Sequence, residues 1–264
     1  MELDFFLICL AILAGLVAGV VNTLAGSGSL LTLAVLLFLG LPATVANGTN
    51  RLGVAIQTAV SLLTLRRHGL SLPEGMLWVV VASTLGALFG SFVATRFDAA
   101  TLEGVIIAVM WAMLLVLFIK PSRFLRSESL PEKGNPTVLK IFLFVLVGFW
   151  GGFLQAGVGI LLALALVLAT GRELVEATAI KLVVVMSYTV GTLFIFGFAG
   201  QINWTLGFLV GIGQGLGGFL GARFAATSPK APIWIRRTLI AAILLAILEL
   251  MNLRQLFLNL IGIG

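Results

Sequence analysis

The chain has 264 residues, 60% of them hydrophobic and 10% charged, with a mean hydropathy of +1.19. A soluble domain of that size needs more polar surface than this, so a water-soluble enzyme or binding module is excluded and the composition belongs to the membrane class. The 16 Lys and Arg against 10 Asp and Glu leave +6, read here as loop cations that set topology rather than as a nucleic-acid surface.

In chain order, apolar runs fall at 5–22, 26–40, 44–65, 76–95, 102–119, 138–155, 158–170, 175–198, 204–222 and 235–252. They are continuous rather than alternating, which predicts helices and not the strands of a membrane barrel. Most approach the ~20 residues that a helical span needs. Two do not: 26–40 would make a helix of roughly 22 Å against an apolar core about 30 Å thick, and 158–170 is shorter still. Such segments must be broken, buried in protein or re-entrant. The stretch 120–140, KPSRFLRSESLPEKGNPTVLK, has three prolines and mixed charge and reads as a loop. The tail 253–264 is too short to span alone. The start, MELDFFL, is acidic where the n-region of a signal peptide is basic, so no cleavable leader is expected. Cys9, the single cysteine, excludes a disulfide within the chain, and His68, the single histidine, falls in a basic loop. No nucleophile–base pair, metal spacing or phosphate loop is present, so neither catalysis nor a cofactor is expected.

Residues 25–34 read AGSGSLLTLA and residues 156–165 read AGVGILLALA. At a shift of 131, without gaps, Gly26 pairs with Gly157, Gly28 with Gly159, Gly40 with Gly171, Ala46 with Ala177 and Thr58 with Thr189; further on, Gly86 pairs with Gly217 and Gly90 with Gly221. Glycines in register over separate regions predict an internal duplication: a first membrane repeat over 1–120, a cytoplasmic connecting loop over 121–137 and a second repeat over 138–264. Cations gather at Arg66 and Arg67, at Lys120, Arg123, Arg126, Lys133 and Lys140, and at Arg223, Lys230, Arg236 and Arg237. With all three groups cytoplasmic, the N-terminus lies outside, and five crossings per half turn one half over relative to the other. The expected fold is an all-α polytopic membrane protein of two inverted-topology repeats, each with about five helical segments.

Each half carries a full span, a glycine-rich break and a short helix. The first break holds Asn22, Gly26, Ser27, Gly28 and Ser29; the second holds Gln155, Gly157 and Gly159. Free N–H groups and partial positive charge at a helix start suit an anion, and inverted copies would aim two such starts at one central place. The ordinary alternative is that the glycines only let helices pack closely, which is the expected role of Gly86, Gly90, Ala94, Gly217, Gly221 and Ala225. After each short helix comes a second polar stretch: Asn47, Thr49, Asn50 and Arg51 in the first half, Lys181 in the second. Lys181 lies about nine residues, roughly 13 Å, beyond Arg172, at a depth where an isolated charge is costly. It therefore faces a cavity or an anion, unless it snorkels or pairs with Glu176. Arg51 snorkels more easily. Inside the spans Glu249 is the main acidic residue, so a carboxylate proton relay is not evident.

At these motifs the sequence resembles the TauE/SafE sulfite exporters, the TSUP permeases. The matching stretches are AGVVNTLAGSGSLLTLAVLLFLGLPATVANGTNR (18–51), GFWGGFLQAGVGILLALALVLATGRELVEATAIKLVVV (148–185) and GQGLGGFLGARFA (213–225). Ser27 breaks a run that is usually all glycine, and Ala34 stands where proline is common. The resemblance implies transport of sulfite, sulfoacetate or related small organosulfur anions across a bacterial or archaeal plasma membrane. Alternating access and export are expected; an anion channel or an uptake permease for a small organic acid is the alternative, and a membrane scaffold the least favoured. The implied partners are a small sulfur-containing anion and the bilayer, with no nucleic acid and with a homodimer left open.

Overall fold

The computed structural model describes residues 5–69, 75–118, 136–171, 174–228, 233–234 and 237. The tenth apolar run, the tail, nearly all of the connecting loop, Glu249 and the cations Lys120, Arg123, Arg126, Lys133, Arg172, Lys230 and Arg236 lie outside the described residues. Among those described the chain is all-helical: α1 (Phe5–Leu24), α2 (Gly28–Phe38), α3 (Ala43–Arg67), α4 (Leu77–Ala94), α5 (Ala99–Phe118), α6 (Val138–Phe153), α7 (Val158–Thr170), α8 (Leu174–Phe198) and α9 (Trp204–Thr227). Among the described residues, four stretches are long and apolar enough to cross a membrane: Leu7–Leu24, Leu77–Ala94, Glu176–Phe198 and Trp204–Thr227. At 25 residues α3 has the length, roughly 37 Å. It carries Asn47, Thr49, Asn50, Arg51, Gln57, Thr58, Ser61 and Thr64, all buried against other helices. Large apolar side chains face outward instead, among them Phe89, Phe194, Phe198 and Phe208, as expected of a bundle whose solvent is lipid.

The packing exchanges the two halves. The first helix of each packs on the fourth of the other: α1 on α9, and α6 on α4. Small residues make both seams. A Cβ on Gly213 or Gly217 would strike the carbonyls of Ile12 or Leu16 on α1; one on Gly86 or Gly90 would strike those of Val145 or Phe149 on α6. Gly86, Gly90 and Gly217, singled out for close packing, sit at these close approaches. Three left-handed glycines of the first half, Gly26, Gly40 and Gly69, recur 131 positions on as Gly157, Gly171 and Gly200, so the repetition is conformational as well as chemical.

Contact order along the helices gives their directions. On α9, Gly207, Gly211 and Gly218 meet α3 at Leu52, Ile56 and Ser61 in turn, so α3 and α9 run the same way, as α1 and α9 do. On α4, Thr84 and Leu88 meet Ser187 and Gly191, so α4 and α8 also run together, along with α6. Between α3 and α8 the order reverses: Arg51 lies over Phe196, Thr58 meets Met186, and Leu65 clusters with Ala179 and Leu182. Thus α1, α3 and α9 run in one direction and α4, α6 and α8 in the other. Because α1 and α3 share a direction, α2 doubles back: Gly28 abuts Ala18 and Asn22 of α1. The α1–α2 pair is a hairpin whose tip is inside the bundle, and α6–α7 is its counterpart.

Candidate functional site

Backbone geometry makes the tips. After α1, the N–H groups of Ala25 and Gly26 both turn back to the Val21 carbonyl, and Gly26 takes φ +84, the left-handed conformation that stops a helix. After α6, the N–H groups of Leu154 and Gln155 turn back to the Trp150 carbonyl, and the stop is Gln155, a non-glycine residue at φ +67. The Trp150 indole N–H donates to the Ala156 carbonyl at 3.0 Å and braces this turn. The two tips touch. The Gly159 N–H donates to the Gly26 carbonyl at 3.1 Å, and a Cβ on either glycine would collide with the backbone of the other. The convergence expected from the repeat is therefore present but unequal. The start of α7 spends its Gly159 N–H on Gly26 and its Val158 N–H on the Gln155 carbonyl, whereas no backbone acceptor meets the N–H groups of Ser27, Gly28 and Ser29 at the start of α2.

Each tip is held by a cation from the other half. Arg51, with 0% of its surface exposed, donates to the carbonyls of Gly151 and Gly152 at the end of α6 and to the Gln155 side-chain oxygen at 2.6 Å. Asn47 completes the cap, its amide donating to the Phe153 carbonyl at 2.8 Å while its oxygen accepts from Arg51 at 3.2 Å. Lys181, 2% exposed, donates to the carbonyls of Thr23 at 3.1 Å and Asn22 at 3.4 Å, at the end of α1. A helix C-terminus leaves carbonyls without intrahelical partners and carries about −0.5 of an elementary charge. Each end stabilises a buried cation that it only half neutralises. No carboxylate is buried among the described residues; Asp98, Glu103 and Glu176 are exposed.

The predicted residues divide into three groups. Ser27, Gly28, Ser29 and Asn50 form an open set of donors. The hydroxyls of Ser27 and Ser29, the Asn50 amide nitrogen and the Arg51 Nε are buried without a hydrogen-bond partner, while the Asn50 oxygen is fixed by Thr32 at 2.6 Å. Gly26, Gln155, Gly157, Gly159, Asn47, Arg51 and Lys181 build the paired tips. Asn22 and Thr49 go elsewhere: Asn22 donates to the Gln57 side chain at 2.7 Å, and the Thr49 hydroxyl accepts the Asn203 N–H at 2.9 Å where α9 begins. Thr23, Thr32 and Ser61 were not among the residues proposed from sequence. The signal for Ser61 was present on α3, where Asn47, Asn50, Arg51, Gln57, Thr58, Ser61 and Thr64 fall on one polar helix face; Thr23 on α1 and Thr32 on α2 lie in apolar runs that carry no such signal. The carbonyls of Gly151, Gly152, Asn22 and Thr23 have no such signal, because a backbone acceptor is present at every position.

Crossed half-broken helices around a buried polar centre, in an otherwise apolar bundle, define a polytopic membrane transporter. The profile of the family described as sulfite exporter TauE/SafE matches residues 11–250. The chain belongs to that family. It is 28% identical over 224 residues to a probable membrane transporter protein of a Sinorhizobium species, covering 85% of each chain. It is also 28% identical over 235 residues to a probable membrane transporter protein of Haemophilus influenzae, covering 88% of this chain and 91% of the relative. With the probable membrane transporter protein YfcA of Escherichia coli K12 it shares 26% over 234 residues, 88% of this chain and 85% of the relative. No solved structure matches it.

Proposed function

We propose that the protein moves sulfite, sulfoacetate or a related small organosulfur anion out of a bacterial cell across the plasma membrane. The observation that carries the anion reading is the sign of the centre: two buried cations, an open helix start at Ser27–Ser29 and free donors on Ser27, Ser29, Asn50 and Arg51, with no carboxylate buried among the described residues. Each helix end offsets only about half a charge, so the centre keeps a positive potential that an anion completes. The family's description supports sulfite and export. The opposed directions of α1, α3, α9 and α4, α6, α8 support an inverted-topology repeat, in which the hairpins enter from opposite faces and rocking of one half on the other alternates access.

Asn50→Asp tests the anion reading. The change is nearly isosteric and keeps the acceptor for Thr32, but it replaces a free donor with negative charge. In proteoliposomes given sulfite, sulfoacetate or sulfate, at least a tenfold loss of anion flux is expected from protein that still runs as a single folded species. Flux at the wild-type level would remove Asn50 and the start of α2 from the binding site.

A further inference from the structure

The two crossed cations cap corresponding helix ends, the end of α6 and the end of α1, from positions one residue out of register (Lys181 aligns with Asn50), and they are chemically unequal. Arginine stays protonated under all ordinary conditions, whereas a lysine ammonium can release its proton. Around the Lys181 end of α1 lies a second polar cluster, distinct from the donors near Asn50. The Gln57 amide bridges from Asn22 to Thr23 and Ser61, donating to the Thr23 hydroxyl at 2.7 Å and the Ser61 hydroxyl at 3.1 Å, and Ser61 donates to the Gly218 carbonyl at 3.2 Å. Gln214, 1% exposed, sets its backbone against Gly19 and its side-chain amide against Gly53 of α3, one helical turn before Gln57, and its side-chain oxygen has no partner. That acceptor beside a buried hydroxyl chain suits a water that relays protons. The cluster lies toward the Arg66 and Arg67 end of α3, since Leu65 packs with Ala179 and Leu182.

We propose that Lys181 is the site of a coupling proton, so that one proton travels with each anion. The proposal rests on the transport function above. Lys181 caps the helix that ends at Leu24, and the anion donors begin at Ser27, so Ala25 and Gly26 alone join the proton site to the anion site. An anion at the start of α2 favours the charged ammonium, and the ammonium favours the anion, by the same factor in each direction. On the side where the anion enters, the amine takes a proton from water; on the side where it leaves, the ammonium returns a proton to water. Among the described residues, the other charged or titratable groups on the helices around Lys181 are Cys9 on α1, Arg51, Arg66 and Arg67 on α3, Lys140 on α6, Arg223 on α9, and Glu176 and Tyr188 on α8 itself; α4 and α7 carry none. The ammonium is nonetheless held by the two α1 carbonyls. Export under this scheme runs down the anion's own gradient and takes a proton with it.

The test follows anion content and internal pH together in voltage-clamped proteoliposomes of the full chain, using sulfite, sulfoacetate and sulfate, with protein-free vesicles as background for bisulfite's own proton. In wild type, a pH difference of one unit should accumulate the anion up to about tenfold, at one proton per anion. Lys181→Arg keeps the charge and cannot release the proton. It should exchange anion for anion while net proton-coupled movement falls at least tenfold, and Lys181→Gln should lose the pH-driven accumulation. Wild-type anion movement without protons overturns the coupling site and leaves the transport reading standing, and this outcome does not depend on any variant folding. Unchanged coupling in Lys181→Arg, or loss of exchange together with net movement in that folded variant, also overturns it. No movement of any of the three anions by folded wild-type protein overturns the transport reading and the coupling site together.

Discussion

Replacing Gly159 by alanine examines the point where the two halves meet. The new Cβ would meet the Gly26 backbone, with the Gly26 carbonyl oxygen at 2.7 Å and its carbon at 2.9 Å. These are main-chain atoms, so no flexible side chain can give way and the tips must separate. Overpacking of this kind costs about 1–3 kcal/mol. Separation also breaks the Gly159 N–H bond to the Gly26 carbonyl, worth about 1 kcal/mol net. The sum, about 2–4 kcal/mol, corresponds to a fall in Tm on the order of 5–15 °C. Anion flux should fall with it, because the start of α2 is positioned by the same contact. Gly104→Ala on α5 is the control. A Cβ there meets nothing within 4 Å, and alanine is the better helix former by about 1 kcal/mol. Thermal unfolding in detergent and flux in proteoliposomes are the two assays. A Gly159→Ala protein with wild-type Tm and flux would refute the touching tips, whatever the control does.

Ser29→Ala separates binding from folding: its hydroxyl has no partner in the folded protein, so Tm should hold or rise slightly, while loss of a donor to a charged ligand should weaken anion affinity about tenfold, read by anion-induced thermal stabilisation. Arg51→Lys keeps the charge but cannot span the carbonyls of Gly151 and Gly152 together with the Gln155 oxygen; a stability loss of about 2–3 kcal/mol and a large loss of flux are expected, and wild-type unfolding in detergent would show that the cap of α6 does not matter.

The segments were legible because lipid-facing helices announce themselves by composition. The run 158–170 coincides with α7, and the run 26–40 overstates α2 only by the residues of the two turns that bound it. The recurrence of Gly26, Gly40 and Gly69 as Gly157, Gly171 and Gly200 was legible because left-handed positions admit glycine and little else. Partners between halves were not. Arg51 and the carbonyls it caps are about 100 residues apart, and Lys181 was expected to answer a ligand or Glu176, where the structure gives it the end of α1. The asymmetry between tips was equally hidden. Ser27, Gly28 and Ser29 were weighed alongside Gly157 and Gly159, and only the three-dimensional contact reveals that Gly159 serves Gly26. Thr49 illustrates the opposite error, since a polar residue one position from Asn50 points around the helix to Asn203.

The polarity of α3 also has a consequence for how the protein is made. This helix leaves the ribosome well over a hundred residues ahead of α9, and α8 and α9 are the helices that cover much of its polar face. Until α6 and α8 arrive, Arg51 has neither the Gly151 and Gly152 carbonyls of the one nor the Phe196 ring of the other beside it. A bare arginine costs about 2.5–3.5 kcal/mol at the centre of an inserting helix, and Arg51, about two turns from the start of α3, bears a part of that. Nascent α3 is therefore a poor membrane insert, held by α1 and α2 or by the insertion machinery until synthesis of the second half supplies its partners. Chains truncated before α6 should be cleared by membrane quality control, which makes the second half of the chain a requirement for the first to persist at all.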